Sequence, residues 1–211
     1  MGCLLLCRVM TIRHARLAAV LLLAAPYLFS QTPSGKTPNT AELKADAGTF
    51  VNNVYTNAYL KFSYTAPGEG WSLPPQRAKT EQSELPGQFQ LLRVVRQTDT
   101  QRQLIQMRAD DASFYHPRLT LEAWFKGALH SVTSHKEIQL VKDSYSVEYA
   151  GQPFYRADYK QNYGGILVYG SILGTEYNGF MLNWTFVATS EAALKELVES
   201  LRTLSFAHIH P

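Results

Sequence analysis

The side chains able to do chemistry are few and scattered. Six histidines stand among 211 residues. His116 follows closely on Asp110 and Asp111, a grouping that could supply a general base and an orienting acid if a nucleophile lay in reach. His130 and His135, at the end of a helical pattern, are second candidate bases. No Gly-x-Ser-x-Gly elbow or other nucleophile motif in local context accompanies them. The simpler reading is loop and helix-end histidines that meet carbonyls or solvent. His208-Ile209-His210 is the only close histidine pair; such a pair can share a cation, but no third ligand is indicated. Asp110-Asp111 lacks the spaced ligands and closing Glu of a calcium loop. Gly164-Gly165 enters a strand, not a helix, so it is no phosphate cradle. The reading therefore assigns no catalytic residue, no metal and no cofactor.

Tyrosine is the remaining oddity. Tyr145, Tyr149, Tyr155, Tyr159, Tyr163, Tyr169 and Tyr177 crowd the C-terminal half. Tyrosine suits recognition through its apolar body and polar tip, and it equally suits half-buried strands, the reading favoured here. Asn183-Trp184-Thr185 matches a glycosylation sequon but falls inside an expected buried strand.

The elements that must position these residues centre on Gly165 to Phe206. Ile166 to Leu173 is almost continuously apolar, as in a strand covered on both faces. Gly174 to Gly179 is read as the turn, with Asn178-Gly179 able to adopt φ > 0. Phe180 to Val187 alternates, Phe180, Leu182, Trp184 and Phe186 against Met181, Asn183, Thr185 and Val187. Ser190 then caps a helix striped by Leu194, Leu197, Val198, Leu201 and Leu204. Upstream, Thr120 opens a second helix with Leu121, Trp124, Phe125, Ala128, Leu129 and Val132 on one face.

Strands are expected at Phe50 to Tyr55, Tyr59 to Tyr64, Phe89 to Arg96, Arg102 to Ala109, Glu137 to Val141, Tyr145 to Tyr149 and Phe154 to Gln161. Ala150-Gly151-Gln152-Pro153 makes a tight turn. Pro67 to Trp71 forms a turn that presents Trp71, and Ser72 to Gly87 reads as a long surface loop and the leading candidate for recognition. Connections this short make the sheet chiefly antiparallel. Two amphipathic helices with a doubly covered strand imply an α+β fold layered α/β/α.

Arg13, His14 and Arg16 precede the apolar run Leu17 to Phe29, and Ser30 offers a cleavage site. That is the pattern of a secretory signal peptide over residues 1–30. Leu4-Leu5-Leu6-Cys7 superficially resembles a lipoprotein box without a useful n-region before it, so a start at Met10 reads more simply. Both cysteines, Cys3 and Cys7, then lie outside the mature chain, which has no disulfide or thiolate. Residues 31–47 read as a flexible linker, residues 48–206 as one domain, and 207–211 as a mobile tail. The formal charge of +3 vanishes once Arg8, Arg13 and Arg16 are removed. The electroneutral remainder carries no nucleic-acid footprint or polybasic membrane patch. No stable membrane span survives processing.

Tyr55 to Tyr64 (Tyr-Thr-Asn-Ala-Tyr-Leu-Lys-Phe-Ser-Tyr), closing with Pro67 and Trp71, resembles the first strands of PsbP-like domains. Gly179 to Phe186, followed by a helix ending at Leu204-Ser205-Phe206, is similar to the last hairpin and helix of the same group. That superfamily includes the PsbP subunit of photosystem II, Ran-binding Mog proteins and exported DcrB-type proteins. The resemblance implies an antiparallel α/β/α sandwich and a binding or accessory role, with no functional residue to carry over. Two classes follow. One is an exported, non-enzymatic periplasmic or extracellular protein that binds an envelope protein or small ligand. The other is a small secreted hydrolase built on His116 or His130.

Overall fold

The computed structural model describes residues 48–74, 87–99 and 101–207. The expected leader and linker, most of the loop Ser72 to Gly87, and His208 and His210 lie outside the described residues.

Hairpin chemistry sets most of the architecture. Asn52 and Asn53 have φ of 50° and 63°, the left-handed pair of a two-residue turn. They join β1 (Thr49–Val51) to β2 (Val54–Asn57). β3 (Phe62–Thr65) pairs with β2 and with the terminal β11 (Ser205–Phe206), giving a four-stranded sheet ordered β1-β2-β3-β11. The main sheet holds β4 (Trp71–Ser72), β5 (Gln88–Gln97), β6 (Arg102–Asp111), β7 (Ile138–Tyr149), β8 (Gln152–Tyr163), β9 (Ile166–Tyr177) and β10 (Phe180–Ala188). Its order is β4-β5-β6-β10-β9-β8-β7, and every pairing is antiparallel.

The alternation read along β10 holds. Phe180, Leu182, Trp184 and Phe186 enter one core with Leu173, Phe154 and the four-stranded sheet. α2 (Glu191–Glu199), capped by Ser190 Oγ accepting from the Ala193 amide at 3.2 Å, adds Leu194, Leu197 and Val198 to it. Met181 and Ile172 point the other way, into a second core with Trp124, Phe125 and Leu129 of α1 (Leu121–Thr133). The central strands are thus covered on both faces, and the fold is α+β with a helix on each side of an antiparallel sheet.

Several element bounds differ from the sequence reading. Phe50 to Tyr55 is not one strand, because the Asn52-Asn53 turn splits it. Tyr59 to Tyr64 begins only at Phe62: Asn57 Oδ1 accepts the Leu60 amide at 2.7 Å, Lys61 takes φ 55°, and Leu60 is buried in the turn. Gly174 belongs to β9, not to the turn. A Cβ there would stand 2.7 Å from Trp124 Cζ3 and 2.9 Å from Phe125 Cδ2, so the glycine admits the α1 rings against the strand. The turn is Asn178-Gly179 alone, at φ 49° and 79°. β7 runs unbroken where two strands were expected, with register shifts at Leu140/Lys142 and Lys142/Tyr145. Ala207, assigned to the tail, is tied to the Lys61 carbonyl at 2.9 Å and accepts from the Tyr177 hydroxyl.

Candidate functional site

The histidines do not converge. His116 is exposed in the loop before α1, while His130 lies in the last turn of that helix and His135 just beyond it. Among the described residues no three His, Cys, Asp or Glu side chains group to hold a metal ion.

The acidic pair is structural. Asp111 Oδ1 accepts the Ser113 amide at 2.8 Å and caps a single 3-10 turn. Asp110 Oδ2 accepts from Trp124 Nε1 at 3.0 Å and from the Tyr115 hydroxyl at 2.9 Å. One carboxylate oxygen thus latches β6 to α1 and to the loop between them. Burial pushes the Asp110 carboxyl above its usual range, against those hydrogen bonds and the Arg108 charge. Trp71, expected to be presented by its turn, is pinned instead. Its Nε1 donates to the Pro67 carbonyl at 2.7 Å, and the Arg96 guanidinium lies 5.1 Å from its ring centre.

Strand alternation sorts the tyrosines. Tyr155 and Tyr159 face α1, with Tyr155 stacked on Phe125. A Cβ at Gly170 would fall 2.0 Å from Tyr159 Cζ, so the hydroxyl end of that ring occupies the space a side chain there would need. Tyr149, Tyr169 and Tyr177 face the α2 side. Tyr145 joins them, because it pairs with Arg156 two residues from the Phe154–Val147 pair.

On that side a polar cluster spans β7, β8 and β9. α2 packs on β6, β9 and β10, so the α2 side of β7 and β8 extends past the helix. Near Tyr149 and Phe154 this surface is apolar core; toward Lys142 and Lys160 it turns polar. Arg156 Nε and Nη2 donate to Asp158 Oδ1 at 2.9 and 2.8 Å, and Nε also reaches Ser171 Oγ at 3.1 Å. Tyr145 donates to Asp158 Oδ2 at 2.8 Å, and Lys142 Nζ sits 3.5 Å over the Tyr145 ring centre, a cation–π contact. Burial first, then the bond to Asp158, pushes the Tyr145 hydroxyl above the usual phenol range. It therefore stays a donor at physiological pH. The Arg156 and Asp158 side chains are 20% and 16% exposed, sheltered yet open on one side. The cluster combines a fixed guanidinium, a flanking lysine and aromatic side chains on one face of the sheet. Sequence reading saw its tyrosines but not its charged members, although Arg156 and Asp158 at i, i+2 on a strand necessarily share a face.

No family model matches the chain, and no curated protein matches it. Among solved structures it is similar to LpqN of Mycobacterium tuberculosis, described as involved in cell envelope biogenesis. That match has a TM-score of 0.44 and 8% identity over 68% of this chain and 82% of that one. A Pseudomonas aeruginosa protein of unknown function, PA94, gives 0.40 and 15% identity over 59% and 82%. A Bacteroides thetaiotaomicron structure gives 0.43 and 13% identity over 71% of this chain and 46% of its own. None of these three descriptions names a PsbP-, Mog- or DcrB-type protein, and likenesses this distant carry nothing about activity.

Proposed function

We propose that this chain is an exported, non-enzymatic accessory or binding protein of the cell envelope, PsbP-like in architecture, whose ligand meets the α2-side surface of β7, β8 and β9. The Arg156–Asp158–Tyr145 cluster carries this reading. Its side chains are fixed by one another, sheltered and edged by an exposed lysine, which is how binding surfaces hold polar groups ready without reorganisation. Export rests on the basic cluster Arg13 to Arg16 followed by the apolar run Leu17 to Phe29, the order of a cleaved leader.

Hydrogen exchange of the full chain with and without fractionated envelope extract tests the binding surface. Slowed exchange is expected at the amides of 142–147, 156–160 and 167–171. Protection confined to other elements would overturn the assignment. Turnover of an ester, peptide or glycoside that disappears in His116→Ala or His130→Ala would replace it with the hydrolase. N-terminal sequencing of the secreted form should find a start at or just after Gln31, and a lipid on Cys7 would refute the soluble form.

A further inference from the structure

Three cations, Lys142, Arg156 and Lys160, share the α2-side surface of β7 and β8 with one carboxylate, Asp158. Both oxygens of Asp158 are engaged, Oδ1 by Arg156 and Oδ2 by Tyr145. Arg156 keeps Nη1 without a partner among the described residues, and Lys160 has none either. The nearby acids are committed elsewhere. Glu199 is held below its usual range first by its hydrogen bond from Arg202, with Arg156 a minor cause. Asp143 Oδ1 accepts the Ser144 amide.

Register sets the spacing. Lys142 stands opposite Asp158 on the neighbouring strand, about 5 Å away between backbones, and Arg156 and Lys160 flank Asp158 at about 7 Å along β8. The three cations therefore flank Asp158, the one carboxylate among them. Two positive charges remain after Asp158 is subtracted. A phosphate monoester carries about −1.5 to −2 at neutral pH and matches them, whereas a single carboxylate would leave one cation uncompensated. Arginine supplies directed donors to phosphate and lysine a point charge. The large side chains beside them, Tyr145 and Tyr169, are half-buried aromatics, and the exposed large apolar residues nearby are Leu167 on β9 and Val141 next to Lys142 on β7. That is a platform for a small molecule, not an apolar tip for a bilayer.

We propose that the surface takes a soluble phosphate monoester, its phosphate held by Lys142, Arg156 and Lys160 and its body against Tyr145 and Tyr169. This rests on the binding reading above and names its ligand class.

The test is an amide NMR titration of the full chain with glycerol 3-phosphate, using glycerol as control. Saturable shifts are expected at Lys142, Tyr145, residues 156–160 and Ser171, with none from glycerol. The Lys142→Gln/Lys160→Gln pair, which leaves the Arg156–Asp158 contact intact, should weaken binding at least about tenfold, because both lysine charges that would meet the phosphate are removed. Asp110→Asn, on the other side of the sheet, should not change it. No saturable shift, shifts elsewhere, or equal affinity in the lysine variant would overturn the proposal. Retention on phosphatidic acid vesicles without binding of the soluble ester would overturn the soluble source. If extract still slows exchange at residues 142–160 while the ester does nothing, the ligand class fails and the binding surface stands. If neither acts there, both fail.

Discussion

Trp124 Nε1 donates to Asp110 Oδ2 at 3.0 Å, joining the first turn of α1 to the last residues of β6. The same ring packs over Gly174 of β9, so one side chain fastens the helix to two strands. Trp124→Ala should cost about 3–5 kcal/mol, as large aromatic truncations in cores do. Trp124→Phe should cost less, about 1–3 kcal/mol, chiefly from the lost indole hydrogen bond, since Asp110 Oδ2 keeps the Tyr115 hydroxyl. Denaturant midpoints at fixed m-value measure both, and a Trp124→Phe midpoint equal to wild type would mean that the hydrogen bond contributes nothing.

Asp110 gives the protein a pH signature. Its carboxyl is raised in the fold, so the native state holds the proton more tightly than the unfolded chain does. The stability from this site is present at low pH and is lost as pH rises through the folded-state value. Asp110→Asn keeps an acceptor for Trp124 and Tyr115 but removes the titration. The variant should gain relative to wild type between about pH 4 and about pH 7. Equal differences in unfolding free energy at the two pH values would show that the site does not titrate in that window.

Gly170→Ala should destabilise through its contact with the Tyr159 ring, by about 1–3 kcal/mol as overpacking does. Tyr159→Leu removes the ring atoms from the contact. In that background the alanine should cost much less, and a double-mutant cycle reads the difference as coupling. Additive losses would place the strain elsewhere.

Ala150 holds φ of 51° beside Gly151 at 70°, a left-handed pair in the β7–β8 turn. A left-handed L-residue costs about 1–2 kcal/mol, and asparagine tolerates it better than alanine. Ala150→Asn should therefore raise the unfolding free energy by about 0.5–1 kcal/mol, read as a higher thermal midpoint. A lower midpoint would show that the turn does not hold that conformation in solution.

Both helices were legible because their stripes and caps agree: Thr120 Oγ1 and Ser190 Oγ each accept the amide three residues on. The α/β/α layering followed from the continuously apolar strand. The Asn52-Asn53 turn was missed even though asparagine pairs favour left-handed turns, because the flanking residues suggested one strand. Gly174 reads from sequence as the start of the turn, because the rings that need its missing Cβ come from a helix fifty residues earlier. The Arg156 cluster depends on register. Tyr145 and Ser171 meet it across two neighbouring strands, and periodicity along one strand carries no information about its partner's offset.

The main sheet ends differently on its two sides. β4 contributes only two residues, and β7 breaks register twice between Leu140 and Tyr145, with Lys142 and Asp143 exposed in the irregular stretch. A long flat border of free amides and carbonyls would template the addition of another chain, as in fibrils. The kinked, charged border at β7 refuses it. On that side the sheet reaches an end within its own molecule, and the broken register leaves a foreign strand no uninterrupted row to copy.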